Sequence, residues 1–233
     1  MKKNNVIEMP LKKSVLWRDM IILFVCSMAI PYLVQYFVGL TEDQSLKKFI
    51  QMVSVVIWYF VLWVLITKVE RRSMAAFDYE DRYLGRQILW GILLGAALFL
   101  ILGLVPILLK TTTILFNSFT PKSVRGELLY QFAYNFFFVA QVEEKVFRGY
   151  YLARMEEATG SQFIAVLGST ILFVLPHIVM RGITTDLISI CLMGMILAIA
   201  RLRLKNYSML TIVLAHGLYN FALNVFGLYW IIF

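Results

Sequence analysis

Charged residues are scarce in this chain. Asp, Glu, Lys and Arg together make up 15% of the 233 residues, whereas hydrophobic residues make up 61%. A soluble domain is closer to one-quarter charged and one-half apolar, so the composition excludes an ordinary soluble fold. Most of the long apolar runs reach the roughly 20 residues that a helix needs to cross about 30 Å of hydrocarbon. The sequence therefore predicts an integral membrane protein.

Cysteine is nearly absent, and neither cysteine has the spacing of a metal site. Cys26 and Cys191 each lie within an apolar run, without a CxxC or Cys/His pattern, which is typical of inert packing residues. The N-terminus also lacks a cleavage site of small residues after a short apolar stretch. Its lysines precede a long apolar run instead, which predicts a retained first span rather than a removed signal peptide.

The apolar runs predict an all-α, polytopic transmembrane helix bundle. Gly217 and Gly227 lie in the last run, which is long for one crossing, so a break there would add an eighth short segment. Residues 1–126 form a predicted N-terminal three-helix membrane region, and residues 127–233 a second region within one integrated membrane domain. The seven predicted spans are residues 20–40, 48–67, 87–109, 128–152, 162–180, 186–203 and 207–231.

The positive charge of the chain points to lipid rather than to nucleic acid. The net charge is +8, but the cations sit at the ends of the apolar runs, where the positive-inside rule places them. Anionic lipid headgroups are the expected partner, and nucleic-acid binding is not expected. Most Lys and Arg residues fall on the side of the N-terminus, which predicts a multi-pass cell-membrane protein with a cytoplasmic N-terminus.

Four ionisable residues lie together in the predicted fourth span, namely Glu143, Glu144, Lys145 and Arg148. A charge at the bilayer centre costs about 2.5 to 3.5 kcal/mol, so several of them must pair, face a wet cavity or reach an interface. Glu144 and Arg148 have the i,i+4 spacing of an ion pair. Consecutive helical residues point about 100° apart, so we expect Glu143 and Glu144 not to serve the same spot. Glu143 is assigned to chemistry, with a salt-bridged helix end as the structural alternative.

The chain contains only two histidines, and both lie in apolar runs. His216 and Asn220 are four residues apart, so both project from one helix face. His177 follows Pro176 in another predicted span. Counted from the predicted cytoplasmic turns, Glu143, His177 and His216 lie about 17 to 22 Å into the membrane. Helices 4, 5 and 7 can therefore place these three groups at a similar depth in the membrane and form a site between them.

The pattern of these residues resembles a known family. Glu143 to Arg148 match an EExxxR motif, Phe173 to His177 an FxxxH motif, and His216 to Asn220 an HxxxN motif. The chain is thus similar to the CPBP membrane peptidases (CAAX protease and bacteriocin-processing, also called Abi). The resemblance covers about residues 127–224 and implies that residues 127–233 form a CPBP-like catalytic core. It also implies hydrolysis of a peptide bond of a membrane-associated protein or peptide precursor.

The resemblance implies four catalytic residues, of which Glu143 with His177 would activate a water and His216 with Asn220 would stabilise the oxyanion. Glu144, Arg148 and Phe173 would support them. A carboxylate in a low-dielectric cavity suits a general base, and donors aimed at developing charge stabilise the transition state. The family also implies a zinc alternative with Glu143, His177 and His216 as ligands. No HExxH is present, and zinc gives Asn220 no role, so metal-free catalysis without a cofactor is favoured.

Two other functions remain open from the sequence. A non-catalytic membrane partner, such as a bacteriocin self-immunity factor or a sensor scaffold, would not need the complete set of Glu, His and Asn residues. A small proton-coupled transporter could use buried Glu and His residues as a relay. Against it, the sequence shows no repeat and no pair of interrupted helices in two corresponding halves.

Overall fold

The protein is described here by a computed structural model, which covers residues 11–74, 83–111, 124–204 and 208–232. Within these ranges the chain forms seven continuous helices and no β-strand. We label them α1 (Lys13–Gly39), α2 (Gln44–Val69), α3 (Leu84–Leu108), α4 (residues 124–159), α5 (Gln162–Arg181), α6 (Asp186–Arg203) and α7 (Ser208–Ile232).

The predicted all-helical, multi-pass architecture is confirmed. Five of the described helices, namely α1, α2, α3, α5 and α7, are long and apolar enough to cross a membrane. Neither α4, which carries the charged cluster, nor α6 is among these five. Seven crossings, the division of the chain at residue 126 and the cytoplasmic N-terminus therefore stay predictions.

Helix α4 is not a uniform α-helix. Its turns are α-helical at Val124–Ala133, Ala140–Glu144 and Leu152–Thr159, and π-helical at Tyr134–Val139 and Lys145–Tyr151. Such wide turns inside an α-helix are rare and occur often at functional sites. Glu143 and Glu144 thus end a five-residue α-helical stretch that wide turns flank on both sides.

Helix α7 is continuous from Ser208 to Ile232, so the break considered at Gly217 does not occur. Gly217 makes room for a neighbouring ring instead. A Cβ built on Gly217 would lie 2.7 Å from Cδ1 of Phe136 on α4. The glycine that suggested a helix break therefore serves the close packing of α7 against α4.

Helix α3 packs closely along α7 through Gly91 and Gly95, as their GxxxG spacing predicts. A Cβ on Gly95 would lie only 2.8 Å from the carbonyl oxygen of Ala215, the residue before His216. A Cβ on Gly91 would lie 3.1 Å from the carbonyl oxygen of Thr211. The backbone of α7 thus rests directly on α3, and the N-terminal part of the chain supports the helix that carries His216.

We expect Gly95→Leu to lower the free energy of unfolding by about 1 to 3 kcal/mol, because the new side chain must displace the α7 backbone. Thermal unfolding in detergent micelles measures this effect. Gly85→Leu is the matched control, since nothing lies within 4 Å of a Cβ at that glycine of the same helix. An unfolding midpoint of Gly95→Leu equal to that of the control would contradict the close approach of α3 and α7.

A buried polar cluster joins the end of α2 to the end of α4. The hydroxyl of Tyr150 donates to Glu70 at 2.7 Å, and Arg154 donates to the same carboxylate at 2.6 Å. Arg72 donates two hydrogen bonds of 2.8 Å to Glu157 and thereby lowers the pKa of that carboxyl, which lies beyond the predicted fourth span. These contacts fix the C-terminal part of α4, at and after the π-helical turn Lys145–Tyr151, relative to the end of α2.

Candidate active site

Helix α4 contributes a buried ion pair to the candidate site. Glu144 is fully buried, and Nη1 of the equally buried Arg148 donates a hydrogen bond of 2.9 Å to its Oε1. This is the i,i+4 pair that the sequence predicts. Because two charges cancel inside the bundle, neither has to face lipid.

His216 on α7 contacts both glutamates of α4. Its Nδ1 lies 2.7 Å from Oε1 of Glu144, and its Nε2 lies 3.7 Å from Oε2 of Glu143. The two glutamates reach different nitrogens of this ring. An imidazole carries its nitrogens on different edges, so two carboxylates that diverge from neighbouring helical positions can meet the same ring.

The contact with Glu144 orients the imidazole of His216. A carboxylate accepts hydrogen bonds, so Nδ1 of His216 is the donor in this contact and carries a proton. Nε2 then faces Glu143 across a distance too long for a direct hydrogen bond. His216 is almost wholly buried, whereas the side chain of Glu143 keeps 17% of its surface exposed. Glu143 is thus the more accessible of the two carboxylates.

His177 on α5 is held by its own helix. Its Nδ1 lies 2.8 Å from the carbonyl oxygen of Phe173, which can only accept, so Nδ1 donates and Nε2 is the acceptor nitrogen of the neutral ring. Pro176 precedes His177 and lacks an N–H, so it opens the hydrogen-bond ladder at this turn. The contact with the Phe173 carbonyl therefore favours one tautomer of His177.

The phenyl ring of Phe173 joins the three helices of the site. This fully buried ring lies 4.9 Å from the ring of His177 and 6.0 Å from the ring of His216, centroid to centroid. The guanidinium carbon of Arg148 lies 4.1 Å from the same centroid, a cation–π contact. Both histidines and the Glu144–Arg148 pair thus pack on one aromatic residue.

Asn220 lies one helical turn beyond His216 on α7 and is half-buried. Within the described ranges it makes no hydrogen bond with Glu143, His177 or His216. The structure therefore brings Glu143, Glu144, Arg148, Phe173 and both histidines into a chain of contacts, and it does not join Asn220 to them.

Lys145, the remaining charge of the cluster, contacts a ring of α2. It is buried, and its ammonium lies 5.2 Å from the ring centroid of Tyr59 on α2. An ammonium over an aromatic face is attracted by the ring quadrupole. Lys145 therefore packs against α2 through an aromatic contact.

The donor set does not fit a metal ion in the described arrangement. A catalytic zinc needs three protein ligands that converge on one point. In the part of the chain that the structure describes, no three His, Cys, Asp or Glu side chains are grouped in this way. Glu143 and His216 approach each other, but His177 does not complete such a group with them.

A comparison with protein families identifies the region that holds these residues. Residues 125–222 match the family model described as type II CAAX prenyl endopeptidase Rce1-like. Over this region the chain is similar to the CAAX protease family. The match spans all three motifs that carry the resemblance, and it leaves α1, α2 and α3 outside. No curated protein and no solved structure matches the chain.

The sequence does not reveal every contact of the matched region, residues 125–222. The EExxxR motif names Glu144 and Arg148 as a pair, but it does not indicate that Glu144 also binds His216, 72 positions along the chain. Tyr150 and Arg154, which bind Glu70, also lie in this region and match none of the three motifs. Tyr150 and Arg154 lie 80 and 84 positions from Glu70 along the chain, and no periodic pattern in the sequence indicates that they meet it.

Proposed function

We propose that this protein is an intramembrane endopeptidase, which hydrolyses a peptide bond of a membrane-associated protein or peptide precursor. One observation carries the proposal: His216 of the third motif contacts both glutamates of the first motif and packs on Phe173 of the second. Three distant sequence patterns thus share one cluster, in the region that matches a peptidase family.

Glu143 is the general base in this proposal. Its carboxylate takes a proton from a water molecule while the water oxygen attacks the carbonyl carbon of the scissile amide. Glu143 is partly exposed and Nε2 of His216 lies 3.7 Å away, a separation that one water can span with a hydrogen bond to each. The proton then passes from Glu143 to the amide nitrogen as the C–N bond breaks, which releases an amine and a carboxylic acid.

His216 and Asn220 stabilise the oxyanion of the tetrahedral intermediate. Preorganised donors at such a position are worth several kcal/mol when water is excluded. His216 serves as a donor through Nε2 when both of its ring nitrogens are protonated, and Glu144 already accepts from Nδ1. Arg148 and Phe173 hold this arrangement in place, and His177, with Nε2 as its acceptor nitrogen, assists Glu143 in orienting the water.

The substrate class follows from the location of the site. Glu143 and His216 lie in a helical bundle of which five helices can cross a membrane, so a substrate must reach them from the bilayer or its surface. Membrane-associated peptides, lipidated or not, fit this requirement. The description of the matched family names CAAX prenyl substrates, which makes a prenylated C-terminal peptide the first candidate.

We expect the purified protein in liposomes to cleave a membrane-anchored peptide. When the reaction is run in ¹⁸O-labelled water, the new carboxylate should contain one ¹⁸O atom. Hydrolysis by an activated water requires this label. Intact-mass measurement of both fragments, for a prenylated peptide and its unprenylated counterpart, gives the bond cleaved and the need for a lipid. Zinc removal by a chelator should leave turnover unchanged if Glu143 acts without a metal.

Three outcomes would change this proposal. Loss of cleavage on chelation, with recovery on adding zinc, would replace glutamate catalysis by a zinc mechanism with Glu143, His177 and His216 as ligands. Failure to cleave any membrane peptide, with an unchanged phenotype for Glu143→Gln in cells, would favour a non-catalytic partner. Proton-coupled solute flux in the same vesicles would favour a transporter.

A further inference from the structure

A glycine outside the three motifs touches the buried ion pair. Gly194 lies on α6, which contributes none of the residues described in the site, and it is buried. A Cβ built on it would lie 3.0 Å from Nη2 of Arg148, 3.1 Å from Cδ1 of Phe173 and 3.4 Å from Cγ2 of Thr170. Atoms this close leave almost no space for a methyl group at position 194.

The guanidinium of Arg148 depends on this close approach. Arg148 is 1% exposed, and its Nη1 donates to Glu144, while its Nε and Nη2 have no protein hydrogen-bond partner among the described residues. Its position is therefore set by one hydrogen bond and by packing, with the ring of Phe173 on one side and the backbone of Gly194 beside Nη2. A displacement of Nη2 would move the whole planar group.

The displacement would reach the candidate catalytic histidine through shared atoms. Oε1 of Glu144 accepts from Arg148 at 2.9 Å and from Nδ1 of His216 at 2.7 Å. A shift of the guanidinium therefore changes the one carboxylate oxygen that orients the imidazole. Phe173, the second neighbour of Gly194, also packs on both histidines.

We propose that Gly194 is a positioning residue of the active site, which fixes His216 through Arg148 and Glu144. The proposal rests on the proposed peptidase function and adds α6 to the helices on which the site depends. Gly194 acts by the absence of a side chain, so the guanidinium can lie against the α6 backbone.

We expect Gly194→Ala to lower kcat for peptide cleavage about 10-fold with little change in KM, because the methyl group must push Nη2 aside by a few tenths of an ångström and small misplacements of reacting groups are costly. The pH profile of kcat should also shift, since the orientation of His216 against Glu144 changes. Gly168→Ala is the matched control. It is also a helical glycine, and its Cβ would meet the flexible end of Met155, away from Arg148.

A double-variant cycle separates positioning from general loss of stability. Lysine has no Nη2, so Gly194→Ala should lower activity strongly in the wild-type background and little in the Arg148→Lys background. If Arg148→Lys has no measurable turnover, the same cycle is measured in the free energy of unfolding, where the coupling should also appear. Equal losses in both backgrounds, or a wild-type kcat for Gly194→Ala, would overturn the role of Gly194.

The Glu143→Gln variant distinguishes the two proposals. Should Glu143→Gln cleave peptide at the wild-type rate, the peptidase mechanism itself fails. Should Glu143→Gln be inactive while Gly194→Ala matches the Gly168→Ala control, the mechanism stands and only the role of Gly194 fails.

Discussion

Glu143→Gln is expected to lower peptide turnover by about 10²- to 10⁴-fold, the range associated with a general base. Glutamine has nearly the same shape as glutamate, but its amide cannot take a proton from water. Glu143 is partly exposed, and the buried His216 keeps its hydrogen bond to Glu144, so the fold should tolerate the loss of the Glu143 charge. Single-turnover cleavage in liposomes measures the rate, and the unfolding midpoint should stay near that of the wild type.

Glu156→Gln is the matched control for this variant. Glu156 lies on the same helix and accepts a hydrogen bond of 2.9 Å from Gln162 at the exposed end of α4. The same chemical change there should leave turnover unaltered. Wild-type cleavage by Glu143→Gln would remove the general base from the mechanism.

Glu144→Leu is expected to destabilise the protein by roughly 3 to 5 kcal/mol, because it leaves the buried charge of Arg148 without its partner. The guanidinium is almost wholly buried, so water cannot replace the lost carboxylate. Activity should also be lost, since Nδ1 of His216 loses its acceptor. Thermal unfolding in detergent and cleavage in liposomes measure the two effects separately.

The double variant Glu144→Leu/Arg148→Leu should recover much of the lost stability, because an apolar pair can replace a buried ion pair. It should nevertheless stay inactive, since the orienting contact to His216 is still missing. An active double variant would show that the ion pair serves folding alone. A single Glu144→Leu variant as stable as the wild type would show that Arg148 has another partner.

Hydrophobic runs predict the helices well and their ends poorly. All seven predicted apolar segments coincide with described helices, because long apolar runs in this chain have no other stable arrangement. Helix α1 begins at Lys13 rather than near residue 20, since its first turns carry Lys13, Arg18 and Asp19 and do not register as apolar. Helix α4 likewise extends beyond its predicted span at both ends.

The motifs predict which residues meet better than they predict how they meet. The Glu144–Arg148 pair follows from one helix and its i,i+4 spacing, and it is present. The contact between Glu144 and His216 depends on the packing of α4 against α7, which a single sequence does not encode in any periodic form. The roles assigned to Glu143, His177, His216 and Asn220 stay predictions until the variants are measured.

The π-helical turns of α4 have a consequence for the length of the chain. A π-helical turn contains about one residue more than an α-helical turn. The π-helical stretch Tyr134–Val139 therefore holds an extra residue compared with a regular α-helix. Deleting one residue there can tighten the turn into an ordinary α-helix without rotating the segments before and after it. Natural variants that are one residue shorter in this stretch are therefore expected to keep Glu143 and Glu144 facing α7.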